Sequence, residues 1–162
     1  MAAFDCFLKL DGAPGESKDH KHKDEIEINS WGWGAVQGGS FGFGGGGGTG
    51  KVQIQDFHFS TKTSKASPKL MNCCMSGEHI KNGVLTVRKA GKEQQEYLSI
   101  KFTDILVSSF SSAGAGSGDP TPLDSFSLNF AKIEWGYKEQ LATGALGGAV
   151  NAGYDQVQNK VV

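Results

Sequence analysis

Alternation of apolar and polar residues, interrupted by abrupt changes of face, constrains this chain more than any other feature of its sequence. Successive side chains of a strand point to opposite sides of a sheet, so an apolar residue at every second position marks a strand with one face in a core. Phe4, Cys6, Leu8 and Leu10 alternate with Asp5 and Lys9, and Asp11-Gly12 then reads as a turn. Ile26 and Ile28 begin a second strand that runs into Trp31 and Trp33. Val52 and Ile54 share one face, whereas Phe57 and Phe59 take the other parity across Gln55 and Asp56. Leu98, Ile100, Phe102, Leu106 and Phe110 form a long strand with Asp104 in register among them, and Phe126, Leu128 and Phe130 give way to Ile133, Trp135 and Tyr137. Each change of parity requires a bulge or a bend. Long strands that bend and change face predict a mainly β fold, a bent-strand barrel of two curled antiparallel sheets.

One short α-helix is predicted at about 68–81. Ser67 can cap it, Pro68 suits the first helical position, and Leu70, Met71, Cys73, Cys74 and Met75 follow, with Gly77 near the end. Positions four apart share a helical face, so Leu70 and Cys74 are expected to point inward. Lys89-Ala-Gly-Lys92 reads as a hairpin turn between two strands, and Lys18 to Asp24 as a charged, solvated loop. Glycine is in excess, 24 residues against four prolines, and concentrates at 38–50 and again toward the end. The first run is expected to be an extended loop and 141–162 a flexible tail with a short strand near Asn151 to Val157.

A length of 162 residues suits a single domain, 1–162, and such a domain buries roughly 70% of its unfolded surface, so it needs neither disulfides nor a structural metal. Sixteen basic groups nearly balance seventeen acidic ones, and Arg88 is the only arginine. Neither a nucleic-acid groove reader nor an arginine-built phosphate site fits that composition. Three cysteines, Cys6, Cys73 and Cys74, do not frame a disulfide scaffold and point to a reducing compartment. The amino terminus lacks the charged and apolar regions of a secretory signal, and no apolar stretch is long enough for membrane insertion. Synthesis in the cytoplasm is therefore expected, and export would have to use another route.

The motifs that suggest chemistry fail on context. Gly45 to Lys51 nearly matches a phosphate-binding loop, but Val52 replaces the metal-binding hydroxyl and a strand follows in place of a helix. Gly42 to Gly47 matches a dinucleotide fingerprint by composition alone, without the β-α-β unit that gives it function. The four histidines, His20, His22, His58 and His79, share no zinc-type spacing with the cysteines, and His20 and His22 are expected in solvent. No nucleophile, base and orienting group can be assembled, so neither a cofactor nor an enzymatic activity is predicted. What remains is a glycine-rich arm on a β-rich body. Glycine is entropically costly to fix, so an arm at 42–50 is expected to gain order by touching another subunit. Phe41, Phe43, Gly45, Gly47, Thr49 and Lys51 are the candidate contacts with that subunit. A monomeric barrel that binds a small apolar ligand is the alternative.

The segments Phe7-Leu-Lys-Leu-Asp-Gly, Gly15-Glu-Ser-Lys, His22-Lys-Asp-Glu-Ile, Ser30-Trp-Gly-Trp-Gly, Gly44 to Lys51, Ser67-Pro-Lys-Leu and Val87-Arg-Lys-Ala-Gly91 fall in an order that resembles the haemolysin co-regulated protein family, Hcp. The resemblance runs from about Phe4 through Asn129-Phe-Ala-Lys132 and includes Gly153-Tyr-Asp, with departures at Gly32, Phe41 and Phe43. It implies a β-barrel with one helix, assembled as a homohexameric ring, whose rings stack into the inner tube of the bacterial type VI secretion system. It also implies secretion through that system, partners in the tube-capping spike protein and the sheath, and effector proteins carried in the lumen.

Overall fold

The computed structural model describes residues 4–39, 41–42, 50–89 and 93–162. Its strands are β1 (Phe4–Leu10), β2 (Ile26–Glu27), β3 (Ser30–Gly32), β4 (Ala35–Val36), β5 (Gln53–Ile54), β6 (Phe57–Lys62), β7 (Ile80–Lys89), β8 (Glu96–Ala113), β9 (Leu123–Gln140), β10 (Leu146–Asp155) and β11 (Lys160–Val161), with α1 at Ala66–Ser76. Every pairing is antiparallel, and the main sheet runs β11-β10-β9-β8-β7-β1-β2. β9 also takes β6 alongside Leu123–Leu128, and β6 pairs with β3. Between β2 and β3 the Ile28 amide donates to Cys6 O in β1 and the Asn29 amide to Ser60 O in β6, which draws the curled sheet round toward itself. The fold is mainly β with a curled, barrel-like sheet, and the hydrogen-bonded circuit does not close completely.

The inside of the curl is filled by aromatic side chains. Phe57, Phe102, Phe126 and Phe130 are buried almost completely, with ring centroids 5.0 Å apart for Phe57–Phe102 and 5.4 Å for Phe102–Phe130. Aliphatic residues Leu8, Ile26, Leu85, Ile100, Ile105 and Leu128 complete this core. Rings at these separations gain contact energy beyond the burial of their surface.

The predicted changes of face occur, but not all at the predicted residues. Gln55 and Asp56 interrupt the chain between β5 and β6. In β8, Asp104 takes a left-handed backbone with φ 53°, an unusual conformation for a residue with a Cβ. It turns Ile105 and Val107 into the core, and Leu106, expected there, lies half-buried. A second slip, between Val107 and Ser109, bends the same strand again.

Four other expectations need correction. The helix is shorter than 68–81, because Gly77 ends it at φ 74° with its amide on Cys73 O, and Ile80 and Lys81 belong to β7. Ser67 does not cap it; Lys65 holds that position, and the buried Ser67 hydroxyl donates to the Asp124 carboxylate of β9, which also accepts from Thr63 Oγ1 at 2.8 Å. The loop from Lys18 to Asp24 is not simply solvated, since His22 is buried and Asp19 half-buried. The Gly15 Cα packs so closely that a Cβ there would stand 2.5 Å from Glu25 O, so glycine serves close approach here. The tail, expected to hold one short strand, carries two: β10 lies along β9, with Gly136 and Gly153 allowing strands and side chains to approach where a Cβ would sit 3.1 Å from Asn151 Oδ1 and 2.9 Å from Ile133 O.

Candidate subunit interface

The glycine-rich loop leaves the body on a short two-stranded stem. β4 pairs with β5, the Gln55 amide donates to Gly34 O at 3.0 Å, and the Gly50 amide reaches Gly38 O at 3.4 Å. Trp33 anchors the root, its indole N–H donating to Gln55 O at 2.9 Å. Beyond the paired part Phe41 stands 87% exposed, and Lys51 is exposed on the returning side. Phe43, Gly45, Gly47 and Thr49 lie outside the described residues, as does most of the 42–50 arm and part of the Lys89–Lys92 turn. After Lys51 the chain enters β5, so a strand follows the glycine run.

A second surface was not legible in the sequence. Trp33, Ile133, Trp135, Ala152, Gly153 and Tyr154 line an open cleft of about 400 Å³ at the root of the stem. Its two indoles stand 6.0 Å apart, and none of these six residues is charged. The cleft joins residues about a hundred positions apart: the root of the stem supplies Trp33, and the pairing of β10 with β9 sets Ala152 to Tyr154 beside Ile133 and Trp135. The far edge of β10 from Leu146 to Ala152 has no strand partner among the described residues, and Val150 on it is 70% exposed. Open edges of this kind are managed in soluble proteins by covering them.

The only arginine holds the amino-terminal loop to the sheet. Arg88, buried on β7, grips Asp19 with both terminal nitrogens, places Nε 3.3 Å from Asp5 and lies 4.8 Å over the Phe7 ring. His22 stacks on Phe7 at 4.5 Å, and its two ring nitrogens lie 2.9 Å from Glu25 and 2.7 Å from Glu96. The hydrogen bonds from Arg88 hold the Asp19 carboxyl well below the usual carboxylate range, against a smaller opposing effect of desolvation.

The helix faces differ from expectation in one residue. Leu70 points inward as predicted, but Cys73 is the fully buried cysteine and Cys74 is half-buried. Burial pushes the Cys6 and Cys73 thiols up. Because the thiolate is the reacting form, one thiol, Cys74, should react early with a soluble disulfide reagent and the other two only on unfolding. Mass mapping of the labelled peptides checks this; early modification of Cys73 would contradict the packing of α1. Among the described residues no cluster of three or more His, Cys, Asp or Glu is placed to hold a metal, and no helix is long and apolar enough to cross a membrane.

The sequence profile of the family described as type VI secretion system effector, Hcp, matches residues 7–137. The chain belongs to the Hcp family. It is 45% identical over 159 residues to protein hcp1 of Pseudomonas aeruginosa, covering 97% of this chain and 98% of that protein. The structure of Hcp1 from Salmonella typhimurium superposes with a TM-score of 0.81 at 36% identity, covering 99% of this chain and all of that one. A solved structure described as a type six secretion system protein gives a TM-score of 0.94 at 30% identity with the same coverage. The Hcp match starts within β1, includes the stem and stops within β9, so the profile leaves β10, one wall of the aromatic cleft, beyond its bounds. The likeness to whole Hcp chains extends over that wall as well.

Proposed function

We propose that this chain is a non-catalytic subunit of the inner tube of a type VI secretion system, folded as a single domain. Six copies form a ring, rings stack through the glycine-rich arms, and the tube is secreted with effector proteins in its lumen, in contact with the capping spike protein and the sheath. Phe41, Phe43, Gly45, Gly47, Thr49 and Lys51 are the contacts proposed for subunits and rings. The observation that carries this reading is the end-to-end similarity to Hcp proteins, 45% identical for the curated relative. The uncovered edge of β10 supports it, because identical subunits meeting head to tail cover such edges and close into rings when the rotation permits. The alternative, a barrel holding a small apolar ligand, has less support, since Phe57, Phe102, Phe126 and Phe130 occupy the interior that the ligand would need. Native mass spectrometry and electron microscopy of the purified chain should find hexamers and rings, with stacks favoured by concentration. A stable monomer at high concentration, with no rings on the grid, would overturn the proposal.

A further inference from the structure

We infer that the exposed ring of Phe41 seats in the Trp33, Trp135 and Tyr154 cleft of a second copy of this chain, a reading that rests on the tube assembly proposed above. Two features on the same molecule are complementary. Phe41 is the most exposed aromatic side chain among the described residues, 87% accessible at the end of a hydrogen-bonded stem. The cleft is open, uncharged and walled by two indoles and a phenol together with Ile133, Ala152 and Gly153, and its volume of about 400 Å³ accommodates an aromatic ring. Such rings favour offset or edge-on arrangements against one another, which angled walls permit; the two indole planes here are inclined by 33°.

The stem makes the contact intermolecular. Trp33 lies at its root and Phe41 beyond its paired part, where Gly38 and Gly50 meet. Extended chain advances about 3.3 Å per residue, so the run from Trp33 to Gly38 spans roughly 15 Å of stem, with Phe41 beyond it. Phe41 is 87% exposed, so it does not occupy the cleft of its own molecule. A protruding group and its receptor at different places on one chain form a head-to-tail contact, the kind from which closed rings and open stacks are both built.

Cross-linking between differently marked copies tests this without removing the ring of Phe41. Gly42 is exposed, a Cβ there meets nothing within 4 Å, and Ala152 is exposed in the cleft. One population would carry Gly42→Cys and the other Ala152→Cys, both with Cys74→Ser, mixed at tube-forming concentration with a short bis-maleimide. Peptide mapping should find position 42 of one population joined to position 152 of the other, and adding Phe41→Ala should abolish that product. Phe41→Ala alone should raise the concentration for half-assembly by about tenfold or more, as removal of a central aromatic anchor does. Rings that form normally yet yield no such link, or a link indifferent to Phe41→Ala, would overturn the inference and leave the tube reading standing. Failure of the unaltered chain to form rings would overturn both.

Discussion

Replacing Phe57 with alanine is expected to destabilise the folded subunit by about 4 kcal/mol, the range in which loss of a buried phenyl ring and the cavity it leaves usually falls. Phe57 is fully buried and holds four other aromatic rings in place: Phe59 and Phe102 with centroids at 5.0 Å, Trp31 at 5.5 Å and Trp33 at 6.2 Å. These neighbours come from β3, β6, β8 and the root of the stem, so no single element can move to fill the gap. Denaturant unfolding of the dissociated subunit measures the loss, and the melting temperature should fall by on the order of 10 °C. His58→Ala, at the next position on the exposed face of β6, should stay within about 0.5 kcal/mol. Similar losses for the two variants would mean that the aromatic core is not packed as described.

Arg88→Met should cost about 3 kcal/mol near neutral pH, because it keeps most of the side-chain volume while leaving the Asp19 carboxylate without its partner in a mostly buried place. The cost should itself depend on pH. A carboxyl held below its unfolded value contributes stability above about pH 4, and that contribution is lost as pH falls toward the folded value. The unaltered protein should therefore lose stability between about pH 5 and pH 3, and the variant should lose less over the same interval. Equal slopes in the two proteins would show that Asp19 and Arg88 are not coupled. The amino-terminal loop should also exchange its amide hydrogens faster in the variant, since Arg88 ties the segment around Asp19 and His22 to β7.

Much of this architecture is legible in the sequence because period-two alternation is a local property. The strands around Phe4 to Leu10, Phe57 to Phe59 and Leu98 to Phe102 follow from it directly. What escapes is decided by contacts distant in sequence. Nothing in the sequence around Asp104 signals a left-handed backbone, so the side of Leu106 is misread. Ser67 has the composition of a cap but is drawn to Asp124, fifty-seven positions away. His22 and Asp19 look like solvent-facing charges until β7 and β8 bring Arg88 and Glu96 to them. Glycine likewise has two meanings, flexibility or close approach, and in β10 the second applies. The protruding half of the candidate interface could be read from its glycines and phenylalanines. The receiving half could not, because Trp33 meets Trp135 from a distant part of the chain and Tyr154 joins them only through the pairing of β10 with β9.

The change of partner along β9 gives the subunit a mechanical grain. Its first half is laced to β6 and its second half to β10, and at the crossing Asn129 donates to Asp56 while the amide and side chain of Gln156 donate to Ala131 O and Phe130 O. A pull along the strands would load the rungs of both ladders together, because those bonds lie across the strand direction. A pull that separated the two branches would instead load the crossing first and then one rung after another. The molecule therefore resists axial tension as a unit and yields to splaying stepwise, starting from Asn129 and Gln156.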